Sequence, residues 1–154
     1  MRFFQCLFLI IASLPFVTYG QTKPGSHHLD TSIYVVFKYH PNFDFYFGKS
    51  EHLRPTTLSA SEVDDMEVLV DSAYQQLVKE HPAFLHPLWE YKRQYIAVID
   101  DKGQKEVWIG FYCDAPKGWR KSVILVLDGG ACYLRLWINF TLRKTSKLFS
   151  NGVA

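Results

Sequence analysis

YIAVIDDKGQKEVWIGFYC, residues 95–113, is the stretch that decides the fold. Tyr95–Asp100 and Lys105–Cys113 are rich in Val, Ile and aromatic residues, the composition of strands. Between them Asp101-Lys102-Gly103-Gln104 offers a glycine for the positive φ of a tight hairpin turn. Side chains alternate across a strand, so Val107, Ile109, Phe111 and Cys113 share one face, with Trp108 and Tyr112 on the other.

Downstream the pattern repeats. Lys121–Asp128 (KSVILVLD) and Ala131–Leu142 (ACYLRLWINFTL) flank Gly129-Gly130, a second hairpin signal of the two-residue kind. Asp114–Arg120 is long enough to turn the chain between the two hairpins. The expectation is a four-stranded antiparallel meander. In its last strand Cys132, Leu134, Leu136, Ile138 and Phe140 face inward, and Tyr133, Arg135, Trp137 and Asn139 face outward.

Upstream, Ser59-Ala60-Ser61-Glu62 fits a capping box, in which the serine hydroxyl takes a free amide and the glutamate reaches back. Val63, Met66, Val70, Ala73 and Leu77 then recur at three- and four-residue steps. Asp64 and Asp65 suit the positive end of the helix dipole and Lys79 the negative end. His81-Pro82 stops the helix, since a residue before proline avoids helical angles. Earlier still, Ser32–His40 (SIYVVFKYH) alternates as a strand. Phe43–Phe47, after the Pro41-Asn42 turn signal, reads as the second arm of a hairpin. The fold class is therefore α+β: one amphipathic helix on a meander sheet, with an N-terminal strand or hairpin.

The first 20 residues, MRFFQCLFLIIASLPFVTYG, carry an early Arg, an apolar run and small residues before Gln21. That is the layout of a signal peptide cleaved after Gly20. The run Cys6–Val17 is shorter than the roughly 20 residues of a spanning helix, so no transmembrane anchor is expected in the mature chain. Residues 21–31 read as a loose tail and 32–154 as one domain. Across all 154 residues, 17 Lys+Arg stand against 15 Asp+Glu, a net charge of +2. A balance so close to neutral gives no electrostatic footprint for nucleic acid. At 48% hydrophobic the chain has enough apolar surface for a packed core.

The segments LRPTTLSASE (53–62), YKRQYIAVIDDKGQKEVWIGFYC (91–113), WRKSVILVLDGGACYLRLWINFT (119–141) and NGVA (151–154) together resemble a group of small exported proteins of Bacteroidota. That group shares a W-x-N/G-x-F-C strand, an Asp-Gly-Gly-x-Cys turn and a terminal Asn-Gly-x-Ala. Here Gly110 stands where Asn is expected, and Ala131 where Asn is more usual. The resemblance covers about the last hundred residues. It implies a bacterial exported protein and brings no biochemical activity with it.

Chemistry-bearing residues are sparse. Removal of the leader leaves Cys113 and Cys132, and an exported chain meets an oxidising compartment that favours a disulfide. The expected meander argues against one. It sets the two cysteines at opposite ends of the middle strand, ~20 Å apart at ~3.3 Å per residue, where a bridge needs Cα atoms within about 7 Å. Both outcomes stay open. The histidines (27, 28, 40, 52, 81 and 86) show no His-x-x-x-His or His-x-His spacing, so no metal site is read. No Gly-x-Ser-x-Gly elbow and no glycine-rich phosphate loop is present, and no cofactor is implied. Asp64-Asp65 and Asp100-Asp101 have sufficient structural roles at a helix start and a turn. Asn139-Phe140-Thr141 is a glycosylation sequon, without meaning in a bacterial source.

Two functional classes follow. One is a non-catalytic binding or envelope-associated module for a protein or glycan partner. It would use Tyr133, Arg135 and Trp137 with Trp108 and Tyr112 on the outer sheet face, and Trp119 in a small basic loop with Lys117, Arg120 and Lys121. The other is a small extracytoplasmic hydrolase or thiol enzyme. Ser32–Phe47, rich in Phe and Tyr, has the composition to fold back and cover the outer face, and exposure and cover are both open.

Overall fold

A computed structural model describes residues 30–48, 52–81, 85–126, 128–146 and 148–150. The expected signal peptide, most of the tail and the terminal NGVA lie outside the described residues. Strands β1 (Tyr34–Phe37), β2 (Arg54–Pro55), β3 (Lys92–Ile99), β4 (Lys105–Tyr112), β5 (Tyr133–Asn139), β6 (Lys144–Thr145) and β7 (Phe149–Ser150) form one sheet. Helix α1 (Asp44–Phe47) is a single turn and α2 (Ala60–Glu80) is the long one. The fold is α+β, and no helix among the described residues is long and apolar enough to cross a membrane.

The β3–β4 hairpin forms as read, with Ile99 opposite Lys105 and Lys92 opposite Tyr112. Asp100 fixes its turn by accepting the Lys102 and Gln104 amides on Oδ1 at 2.9 and 2.8 Å. The capping box also forms: the Glu62 amide donates to Ser59 Oγ at 3.2 Å, and the Ser59 amide donates to Glu62 Oε2 at 3.0 Å. Val63, Met66, Val70, Tyr74 and Leu77 of α2 then pack on Val107, Ile109, Phe111, Leu134, Leu136 and Ile138. The inner face is the one that alternation assigned.

The N-terminal strand forms as β1 and runs parallel to β3, Tyr34 opposite Arg93, and α2 supplies the crossover between them. Two expectations are corrected. First, Phe43–Phe47 is not a hairpin arm. Pro41–Phe43 is a 3₁₀ turn, α1 follows, and Gly48 closes it at φ 60°. This segment needs no partner strand because it buries Tyr46 and Phe47 against the sheet instead.

Second, none of the described residues of 121–128 belongs to a strand, and Gly129-Gly130 is not a hairpin turn. β4 pairs directly with β5, Tyr112 opposite Tyr133, so the meander has one strand fewer than expected. The intervening segment crosses the outer face, and its backbone groups bond to side chains rather than to a ladder. Buried Gln94 donates from Nε2 to the Trp119 and Ser122 carbonyls and accepts the Ile124 amide on Oε1 at 2.8 Å. Tyr112 Oη donates to the Ile124 carbonyl at 2.9 Å. Direct β4–β5 pairing also settles the cysteines. Cys113 and Cys132 follow and precede the paired tyrosines, their Cα atoms are 4.9 Å apart, and they form a disulfide.

Candidate functional site

The outer sheet face is a second core. Trp108 is 1% exposed and Tyr112 3%. The Tyr46 ring of α1 lies 4.3 Å from Trp108, and Tyr39, Phe47, Ile96 and Val98 complete the cluster. Gly110 sits between Trp108 and Tyr112, and their rings close over it so tightly that a Cβ there would collide with both. Tyr133 and Trp137 are half-buried. Tyr133 stands edge-on to Tyr112 at 6.0 Å, and Trp137 donates from Nε1 to the Tyr46 carbonyl. Arg135 is half-buried too, its Nε enclosed without a hydrogen-bond partner. Trp119 lies apart, half-buried beneath the Arg120 guanidinium at 4.7 Å. The space enclosed by Trp108, Tyr112, Tyr133, Arg135 and the crossing segment is about 10 Å³, room for a water and no ligand. Thus Ser32–Phe47 and the crossing segment cover this face, and the six residues do not form one open platform.

An open groove lies elsewhere, on the α2 side, in the link that follows the helix. Ile33, Tyr74, Val78, Leu85 and Leu88 line it, with a volume of about 840 Å³. At its lip Trp89 is 74% exposed, whereas Trp108 is fully packed and Trp119 and Trp137 are half-buried. Trp89 was missed in the sequence because Pro87-Leu88-Trp89-Glu90 has no strand or helix period to give its side chain a face. A lone aromatic in an irregular link carries no directional signal.

Beneath the groove a buried ion pair fixes the link to the sheet. Arg93, 2% exposed, donates from Nη2 to the Leu88 carbonyl at 3.1 Å and lies 3.4 Å from Glu67 Oε2. Tyr95 Oη donates to the other Glu67 oxygen. Burial pushes the Glu67 carboxyl above its usual range, and the Arg93 charge opposes that push. Burial likewise raises the Tyr95 phenol, helped by the Glu67 charge. A buried charge left alone costs several kcal/mol, so the cluster ties α2, β3 and Leu88 into one unit. It holds Leu88, the residue before Trp89, against the sheet.

The same link carries His86 to the disulfide. Its carbonyl accepts from Tyr74 Oη and its amide donates to Tyr91 Oη at 3.3 Å. Tyr91 Oη donates in turn to the Ala131 carbonyl at 2.6 Å, one residue before Cys132. A ligating atom of His86 and both cysteine sulfurs lie within 4.8 Å of one another. Spacing rules for histidine pairs could not show this, because the three residues come from separate parts of the chain. A thiol enzyme needs a free thiolate, and here the Cys113 and Cys132 sulfurs are joined. The sequon amide of Asn139 is engaged at both ends, donating to Gln104 Oε1 at 2.6 Å and accepting the Leu142 amide at 2.9 Å.

No family model, no curated protein and no solved structure matches this chain.

Proposed function

We propose that this is an exported bacterial protein acting as a non-catalytic binding module of the envelope, and that it binds through the Trp89 groove rather than the sheet face. The observation that carries this reading is Trp89 itself: a large indole held in water beside an apolar groove by a link that is pinned from below. Tryptophan dominates binding energy where it inserts into a partner or receives one. The occupant is an apolar side chain of a partner polypeptide. The groove's polar side chains are Asp71, Tyr74, Gln75 and Arg93; Gln75 donates to Asp71, Tyr74 to the His86 carbonyl, and Arg93 is buried against Glu67, which leaves little exposed polar surface to read a sugar. The apolar leader and the disulfide support export.

A photoactivatable phenylalanine analogue at position 89 tests this in the extracytoplasmic fraction of the source cell. It should crosslink one polypeptide, and excess unlabelled protein should suppress that product while the Trp89→Ala variant does not. Crosslinks to polysaccharide, or equal crosslinking from exposed Phe45, would overturn the reading.

A further inference from the structure

We propose that Cys113, Cys132 and His86 form a redox-gated site for a thiophilic d10 cation of the Zn²⁺ class: closed while the cysteines are bridged, and opened by a dithiol reductant. The geometry is preassembled. Cys113 and Cys132 sit at one end of β4 and β5 with Cα atoms 4.9 Å apart, joined also by the Cys113 amide donating to the Cys132 carbonyl at 3.0 Å. His86 belongs to a different segment, yet Tyr74 and Tyr91 hold its backbone and Tyr91 ties it to Ala131. All three ligand atoms already lie within 4.8 Å. A tetrahedral Zn²⁺ with sulfur at about 2.3 Å and nitrogen at about 2.0 Å places its ligand atoms roughly 3.5–3.8 Å apart. Rotation about a cysteine χ1 reaches that spacing from the present backbone.

Two further contacts suit the open form. The Asp114 amide donates to Cys132 Sγ at 3.1 Å, a hydrogen bond that favours thiolate over thiol. Glu90 Oε2 lies 3.5 Å from His86 Nδ1, the kind of carboxylate that orients a metal-binding imidazole. His86 is itself exposed, with its side chain 47% accessible, so an ion has a path in. Three protein ligands leave the fourth position to water.

The steps balance. A dithiol gives up two electrons and two protons, becomes a disulfide, and leaves Cys113 and Cys132 as thiols. Zn²⁺ then binds both sulfurs and the imidazole as two thiol protons pass to solvent. In the reverse direction a disulfide of the same class takes two electrons from the two thiolates and two protons from solvent, leaves as the dithiol, and the reformed bridge releases the ion.

The test uses the whole mature protein, reduced with a phosphine and titrated with Co²⁺, then Zn²⁺, with far-ultraviolet circular dichroism followed throughout. The reduced protein should take up one Co²⁺ per chain with a thiolate-to-cobalt charge-transfer band, and Zn²⁺ should displace it and shield both thiols from alkylation. The oxidised protein should show neither effect. His86→Ala, a change at an exposed side chain, should keep the fold and weaken the affinity at least about tenfold. Binding that is equal in His86→Ala, a cobalt spectrum without the thiolate band, or a reduced chain that neither stays folded nor refolds with Zn²⁺ would each overturn the proposal.

Discussion

Two segments of this chain carry nearly the same local signal and end in different structures. Asp100–Lys105 and Asp128–Cys132 each place glycine between runs of strand-forming residues. The first closes a hairpin, because Ile99 and Lys105 pair directly and the Asp100 carboxylate takes both free turn amides. In the second, Gly129 takes φ 96° and leads into a 3₁₀ turn that starts β5, while the apolar run before it lies across the sheet. The lesson concerns backbone polar groups. Buried amides and carbonyls must be satisfied, and a strand is only one way to do so. In the crossing segment Gln94 and Tyr112 make those bonds, and that releases Val123, Ile124 and Leu125 from any ladder.

The largest break in this comparison comes from Gln94→Met, which keeps the volume and removes the amide. The Ile124 amide and the Trp119 and Ser122 carbonyls lose their partner. At about 1–3 kcal/mol for each group left unsatisfied, and with partial escape to water, the expected loss is about 3–5 kcal/mol in urea unfolding. Trypsin should gain access at Lys117 and Lys121 while the β3–β4 hairpin stays protected. A wild-type midpoint with unchanged tryptic pattern would show that the segment is held by its apolar side chains alone.

Next in size is the disulfide, which brackets the same segment. Replacing Cys113 and Cys132 by serine frees a loop spanning a separation of 19 residues. Chain-entropy arguments put the cost at about 3 kcal/mol, exerted on the unfolded state. The unfolding free energy should fall by that amount, which appears as a lower urea midpoint. If it does not move, the Gln94 bonds already constrain the segment without the bridge.

Much of this fold is legible in residue order. The capping box, the α2 stripe, the β3–β4 hairpin and the inner faces of β4 and β5 all rest on contacts between near neighbours or on strict alternation, and each formed. What was not legible rests on distant partners. KSVILVLD has strand composition, and nothing within it says that a glutamine some thirty residues away takes its amide. The cysteine distance followed from that one error: a false middle strand separated two residues that real pairing makes neighbours. Trp108 and Tyr112 were placed on the correct face, and the cover over them came from residues 32–47 and the crossing segment, whose packing has no local signature. Trp89 and His86 sit in a proline-flanked link without periodicity, so neither had a direction in the sequence.

The smallest effect sharpens the comparison from the hairpin side. Lys105, the first residue of β4, forms an ion pair with Glu62 at the start of α2 and so anchors the hairpin to the helix cap. Burial alone would raise the Glu62 carboxyl, but hydrogen bonds from Lys105 and from the Ser59 amide outweigh it and hold the group below its ordinary value of 4.5. A carboxylate depressed in the folded state contributes stability that is present above its unfolded pKa and is lost as pH falls through the folded one. Glu62→Gln removes the charge and keeps an acceptor for the Ser59 amide. Near neutral pH it should therefore cost only about 0.5 kcal/mol, the scale of a partly exposed pair. That cost should persist from pH 7 down to about 4.5 and vanish as the wild-type carboxylate protonates below it. A difference that stays constant below pH 4.5 as well would assign the contribution to cap geometry rather than to charge. The hairpin would then be held to the helix by packing, as the crossing segment is held to the sheet by hydrogen bonds.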